Sequence, residues 1–221
     1  MVEIYNCNCL DLLSSQNITD KKICIVTDPP FNIGYKYNRY KDNIPEEDYW
    51  FFLDNVLTMN GFPFVVIHYP EQLYKLSFQV GVFPEKVISW VYNANTKRQH
   101  RDIAFFNIKP DFSLVKQPYK NPNDKRIKER IARGQIGTDL YDWWFVNQCK
   151  NVSKEKTKHP CQMPLEVMKN IIGIIPKDYV ILDPFMGSGT TGVACKMLER
   201  DFIGCEIDEE YFEIAKNRLE F

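Results

Sequence analysis

The sequence predicts an α/β fold: a mostly parallel sheet with helices on both faces. Three observations point there. Short apolar runs alternate with amphipathic stretches at both ends of the chain. One of the runs, residues 62–68, is apolar almost throughout, the pattern of a strand covered on both sides. Near the C-terminus a glycine turn, Gly187-Ser188-Gly189, stands between a strand and a helix.

Taken in order, residues 23–26 are the first strand. Residues 45–59 read as a helix, with Pro45 early, acids in the first turn, and Trp50, Leu53, Val56 and Leu57 on one face. A strand at 62–68, a helix at 71–80 and a strand at 86–92 follow. The rhythm then stops. Residues 94–158 are polar and basic with interspersed aromatics, and only 103–108 reads as a strand and 124–133 as a short basic helix. Tyr141, Trp143 and Trp144 form an aromatic cluster suited either to core filling or to base stacking. Regular alternation resumes at Pro164: helix 165–175, strand 179–182, helix 190–199, strand 202–206 and helix 209–219. One sheet assembled from both halves of the chain is expected, in a single domain of residues 1–221, with 94–158 as an insertion.

Composition narrows the partners. The chain has 221 residues, 44% hydrophobic, enough for one sizeable core, and a net charge of −1. That balance hides an asymmetry: residues 94–158 hold 15 Lys/Arg against 7 Asp/Glu, a net of +8. A basic middle in an acidic frame suits either a partner with phosphates or a solvated surface insertion. The seven cysteines have no zinc-site spacing, so no metal is expected. Their scatter, the lack of any apolar run long enough to span a bilayer and the lack of a secretory signal pattern lead us to expect a cytoplasmic protein.

Two stretches carry chemistry. In the first, Asp28-Pro29-Pro30-Phe31 follows the strand at 23–26, so a carboxylate and two residues without an N–H stand where backbone partners would be expected. Alone, it reads equally as a proline-stiffened strand exit. In the second, Asp183 ends a strand, the glycine turn lets backbone approach a ligand, Thr190 and Thr191 open a helix, and Glu206 closes the next strand. An acid about 20 residues beyond the glycines commonly binds ribose hydroxyls. The G-x-G-x-x-G spacing and the P-loop lysine are both missing. Asp183 would repel a pyrophosphate but hold an ammonium group, and a ligand with an amino-acid end and a ribose is S-adenosylmethionine.

Here "DPFMGSGTTGVAC", "GCEIDEEYFEIAKNRL" and "TDPPF" resemble the motifs of the amino-methylating DNA methyltransferases, enzymes of exocyclic adenine N6 or cytosine N4. "KHPCQMP" resembles the family's H-P-T-Q-K-P landmark, and the order of motifs matches its β group. The resemblance implies a Rossmann-like methyltransferase sheet with an inserted target-recognition region at 94–158. It implies adenine-N6 methylation of a short site in double-stranded DNA, with the base flipped out of the duplex. Asp28 and the Pro29 carbonyl would hold the amine, Pro30 would stiffen the loop, and Phe31 would stack on the base. Asn8, Asp28, His159, Asp183, Phe185, Gly187, Ser188, Gly189, Thr190, Thr191 and Glu206 would line the cofactor site. Lys97, Arg98, Arg101, Lys125, Arg126, Lys128 and Arg130 would contact DNA. A homodimer and a cognate restriction enzyme are further partners that it implies.

Cys161 and Met163 stand where the landmark has Thr and Lys, which bears on how the cofactor carboxylate is held. Pro160-Cys161-Gln162 also spells the nucleophile motif of C5-cytosine methyltransferases, but it precedes the cofactor loop here instead of following it. His68 and His100 are expected to be structural or on the surface. Three other readings stay open: cytosine-N4 methylation, methylation of an RNA amine, and a nucleic-acid-binding protein that has lost catalysis.

Overall fold

A computed structural model describes residues 1–18, 21–150, 153 and 155–220. Its main sheet has eight strands. In chain order these are β1 (Val2–Tyr5), β2 (Ile23–Thr27), β3 (Phe64–His68), β4 (Lys86–Val91), β5 (His100–Phe106), β8 (Trp143–Phe145), β9 (Val180–Asp183) and β10 (Phe202–Cys205). Two short strands, β6 (Lys116–Gln117) and β7 (Thr138–Asp139), pair apart from it. Across the main sheet the order is β1-β10-β9-β2-β3-β5-β4-β8. Neighbours are parallel except at β5, which runs antiparallel to both β3 and β4.

Period-2 alternation sends each strand's side chains to two cores. In β2, Cys24 and Val26 face one core while Ile23 and Ile25 face the other, and Val65 and Ile67 against Phe64 and Val66 repeat the split in β3. Helices α5 (Leu165–Gly173), α6 (Thr190–Met197) and α7 (Glu209–Leu219) cover the first face. Helices α1 (Cys9–Leu13), α2 (Glu46–Thr58) and α3 (Pro70–Val80) cover the second. The predicted helices and the two-sided sheet are therefore present, with ends moved by a few residues.

Three features differ from the sequence reading. β1 and α1 were not foreseen, because four residues and five residues are too short to show a period. β5 begins at His100, three residues before the predicted start, and brings the first part of the basic segment into the centre of the sheet. β8 adds a further edge strand from the same segment. Between them, residues 107–142 leave the main sheet, anchored to its core by Ile108 and Leu140, and carry the exposed basic helix α4 (Lys125–Ala132). Within the aromatic cluster the roles divide. Trp144 is 4% exposed and belongs to the core, whereas Trp143 is 47% exposed and lies within 4.8 Å of the Lys120 ammonium.

Candidate active site

The parallel strands β2 and β9 are hydrogen-bonded neighbours, so their C-terminal ends deliver Asp28 and Asp183 to one place. Ligands in open α/β sheets bind in this crevice. A cavity of about 430 Å³ opens there, within the usual range for small-molecule sites. Both motifs line it, together with Asn8, His159, Phe185, Ser188, Thr190, Thr191 and Glu206.

The glycine turn is held from several sides. Gly187 and Gly189 have φ of +51° and +76°, a region that L side chains rarely adopt. A Cβ on Gly187 would meet the His159 ring at 2.9 Å, and one on Gly189 would meet Ala215 at 2.9 Å. Gly189 thus packs behind the turn and does not line the cavity. Glu206 accepts the Gly187 N–H at 3.0 Å and the Asp208 N–H at 2.9 Å, and burial pushes its carboxyl up. From α7, Arg218 donates to the Ser188 carbonyl, the Ser188 hydroxyl and the Thr190 hydroxyl. Sequence reasoning used Arg218 only as part of a helical period.

Asp183 is 3% exposed. Its Oδ1 accepts from the Thr27 hydroxyl at 2.9 Å and the Phe185 N–H at 3.1 Å, and its Oδ2 from the Thr191 hydroxyl at 2.5 Å. Burial pushes its pKa up to about 6 against those donors. A buried carboxylate, a close-approach turn and an acid on the neighbouring strand fit a ligand with an ammonium group and a ribose.

Three of the expected cofactor contacts are already engaged elsewhere. The Asn8 side-chain oxygen caps α1 by accepting the Leu10 N–H at 2.9 Å. Thr190 and Thr191 hydroxyls serve Arg218 and Asp183. His159 is 8% exposed, sits edge-on to Tyr211, and has its pKa lowered to about 4 by burial, so it is neutral at pH 7. Its Nδ1 has no partner among the described residues.

The Asp28 loop is set by a relay that starts at His68. The Tyr69 N–H donates to His68 Nδ1 at 2.8 Å, which leaves the proton on Nε2. Nε2 meets Tyr49 Oη at 3.0 Å, and that hydroxyl donates to the Pro30 carbonyl at 2.7 Å. Burial lowers the His68 pKa to about 3, consistent with a neutral ring. The relay occupies the Pro30 carbonyl, while the Pro29 carbonyl accepts no hydrogen bond among the described residues. Beyond Phe31 the chain turns around Asp42, 2% exposed, whose carboxylate accepts the N–H groups of Asn32, Ile33 and Tyr35. Neither His68 nor Asp42 was linked to this loop from sequence.

Asp28 itself is 15% exposed, and its Oδ1 has no partner among the described residues. Burial, with Asp183 nearby, pushes its pKa up to about 6, and Arg101 pulls it down. Tyr37, Tyr49, Tyr92 and Cys161 also feel its charge. Burial holds the Cys161 thiol protonated, against the nucleophile reading of Pro160-Cys161-Gln162. Gln162 staples its own loop to Thr157 and Glu155.

Arg101 stands apart from the other basic candidates and lines the cavity: its side chain is 17% exposed, 3.4 Å from Asp28 Oδ2 and 4.6 Å from the Phe31 ring centre. It lies inside β5, whose antiparallel register sets it beside the loop after β2. Met163, in the place of the landmark lysine, packs against it at 3.9 Å. The remaining basic candidates Lys97, Arg98, Lys125, Arg126, Lys128 and Arg130 do not line the cavity.

A family model described as DNA methylase, covering N6 and N4 enzymes, matches residues 23–217. The type II methyltransferase M.ScaI of Streptomyces caespitosus is 30% identical over 99% of this chain and 81% of its own length. M.HpaI of Haemophilus parainfluenzae is 29% identical over 93% of this chain and 70% of its own. M2.DpnII of Streptococcus pneumoniae is 48% identical over 44% of this chain and 39% of its own. Among solved structures, the M1.HpyAVI–SAM complex superposes with a TM-score of 0.62 at 24% identity, covering 99% of this chain and 100% of that one. The PvuII DNA methyltransferase, described as cytosine-N4-specific, gives 0.68 at 16% identity, covering 98% and 86%. At these identities the structural likeness speaks for the fold.

Proposed function

The chain belongs to the N6/N4 DNA methylase family, and from that premise we propose that it methylates the exocyclic N6 of a flipped adenine in a short site of double-stranded DNA. The observation that carries this reading is one cavity holding two acceptors, Asp28 Oδ1 and the Pro29 carbonyl, beside the glycine turn. Asp183 would hold the ammonium group of S-adenosylmethionine and Glu206 its ribose hydroxyls. When bound, that cofactor supplies an electrophilic methyl group on a sulfonium.

The adenine amine is a poor nucleophile because its lone pair is delocalised into the ring. Asp28 and the Pro29 carbonyl accept its two N–H groups and favour the tetrahedral nitrogen that attacks. The His68–Tyr49–Pro30 relay fixes the loop before the base arrives, so little reorganisation is left for the reaction step. The nitrogen would take the methyl carbon as the methyl–sulfur bond breaks and a neutral thioether leaves, and would then have one proton to shed. Asp28, ionised at pH 7 to 8, accepts it once the nitrogen has become cationic.

Asp at position 28 favours adenine over cytosine by a tendency of the family. The exposed basic helix α4 and the Lys97–Arg98 turn supply phosphate and groove contacts in this reading, with residues 107–142 as the recognition segment inside the wider span 94–158. A second copy of the chain would enlarge that small surface, and the type II naming of the relatives suggests a cognate restriction enzyme. No helix among the described residues is long and apolar enough to cross a membrane, and the seven cysteines are free, in keeping with work on DNA in the cytoplasm.

Expression in a host without DNA methylation, followed by single-molecule sequencing, tests the reading. Modified adenines at one short motif are expected. Modified cytosines would move the protein to the N4 reaction, and an unmodified genome would favour a relative that binds without catalysis.

A further inference from the structure

Phe31 is the ring on which a flipped base would stack, yet it is already packed against other groups. The His68 imidazole lies 4.2 Å from its centre at an interplanar angle of 22°. The Arg101 guanidinium carbon lies 4.6 Å from the same centre. The ring thus packs against both groups, with the Tyr69 ring edge-on at 5.0 Å as a third neighbour. His68 is fixed by hydrogen bonds at both nitrogens. Arg101 is held by longer contacts: 3.4 Å to Asp28, 3.9 Å to the Met163 sulfur, the Tyr92 side chain, and the Tyr69 and Trp90 rings at 5.8 and 5.5 Å, with an Nε that has no partner among the described residues. The side that can open is therefore the Arg101 side.

We propose that Arg101 is a placeholder for the target base: its planar guanidinium packs against Phe31 and contacts Asp28 Oδ2, beside the Oδ1 that would accept the amine, and base entry displaces it. This rests on the methylation reading above. The match is chemical as well as positional. A guanidinium and an adenine amine edge are both flat, carry N–H donors toward a carboxylate, and stack on an aromatic face.

Displacement also changes Asp28. Arg101 is the cation that holds its pKa down, while burial and Asp183 raise it. When the base takes its place the carboxylate loses that partner and becomes more basic, at the stage when the N6 proton needs an acceptor. The pair therefore keeps Asp28 ionised in the free protein and releases it on demand.

The test compares two duplexes with the sequenced motif, one intact and one with an abasic site at the target position, which brings no base to displace Arg101. Their dissociation constants are measured by fluorescence anisotropy for the wild type and for Arg101→Met. Removing the placeholder should tighten the intact duplex about fivefold relative to the abasic one. Arg101→Lys, which keeps the charge and gives up the planar stack, should move the ratio in the same direction by less, and it covers the case in which Arg101→Met does not fold. A ratio unchanged or shifted the other way, in a wild-type protein that methylates adenine, would overturn the placeholder and leave the methylation reading intact. Loss of methylation by the wild type itself would count against the reading on which the placeholder rests.

Discussion

Asp28→Ala should lower methylation by about a thousandfold or more, roughly 4 kcal/mol of transition-state stabilisation. The substitution removes the carboxylate that stands beside the Pro29 carbonyl and so takes away the base nearest the N6 proton. S-Adenosylmethionine should still bind within about tenfold of wild type, because Asp183, Glu206 and the glycine turn are untouched. The split matters more than the loss. A fall in both quantities would mean that Asp28 supports the cofactor site instead of the base. Isothermal titration with the cofactor and a methylation assay on motif DNA, on the same preparation, read the two separately.

Asp183→Ala should act on the other half. A buried carboxylate facing an ammonium group is worth about 2–5 kcal/mol when one partner is truncated, so cofactor affinity should fall by at least ~30-fold. Three donors, from Thr27, Phe185 and Thr191, also lose their acceptor, and a lower melting temperature should accompany the loss. Asp183→Asn separates the two effects, since it restores volume and an acceptor without the charge.

The same group sets a pH signature. Its pKa stands near 6 in the free protein, raised by burial. The attraction for the ammonium group is thus fully present above that value and is lost as the carboxyl protonates. Cofactor affinity of the wild type should be flat from pH 7 to 8 and fall by up to about tenfold per unit below pH 6. A titration calorimetry series across pH 5 to 8 checks this, and an affinity that does not change with pH would remove Asp183 from the ammonium site.

How far the sequence carried the fold and site depended on the kind of interaction. Local periods announced the longer helices and the strands β2, β3 and β9, because burial on two faces writes an apolar run into the chain. The glycine turn was readable for the same reason: positive φ demands Gly at 187 and 189. What could not be read were contacts made only by folding. Arg101 meets Asp28 across 73 positions, and on charge alone it looked like its neighbours Lys97 and Arg98. The His68 relay needs Tyr49 from α2, which carries no motif, and the Pro30 carbonyl, whose motif does not name its hydrogen-bond partner. β8 has three residues, and its aromatic side chains split between core and solvent, so no period marked it.

The most direct measurement follows the methyl group. Purified protein is incubated with methyl-labelled S-adenosylmethionine and DNA from a methylation-free host, and the DNA is digested to nucleosides. Label in N6-methyldeoxyadenosine is the predicted result. Label in N4-methyldeoxycytidine, or none in any nucleoside while the cofactor still binds, would contradict it.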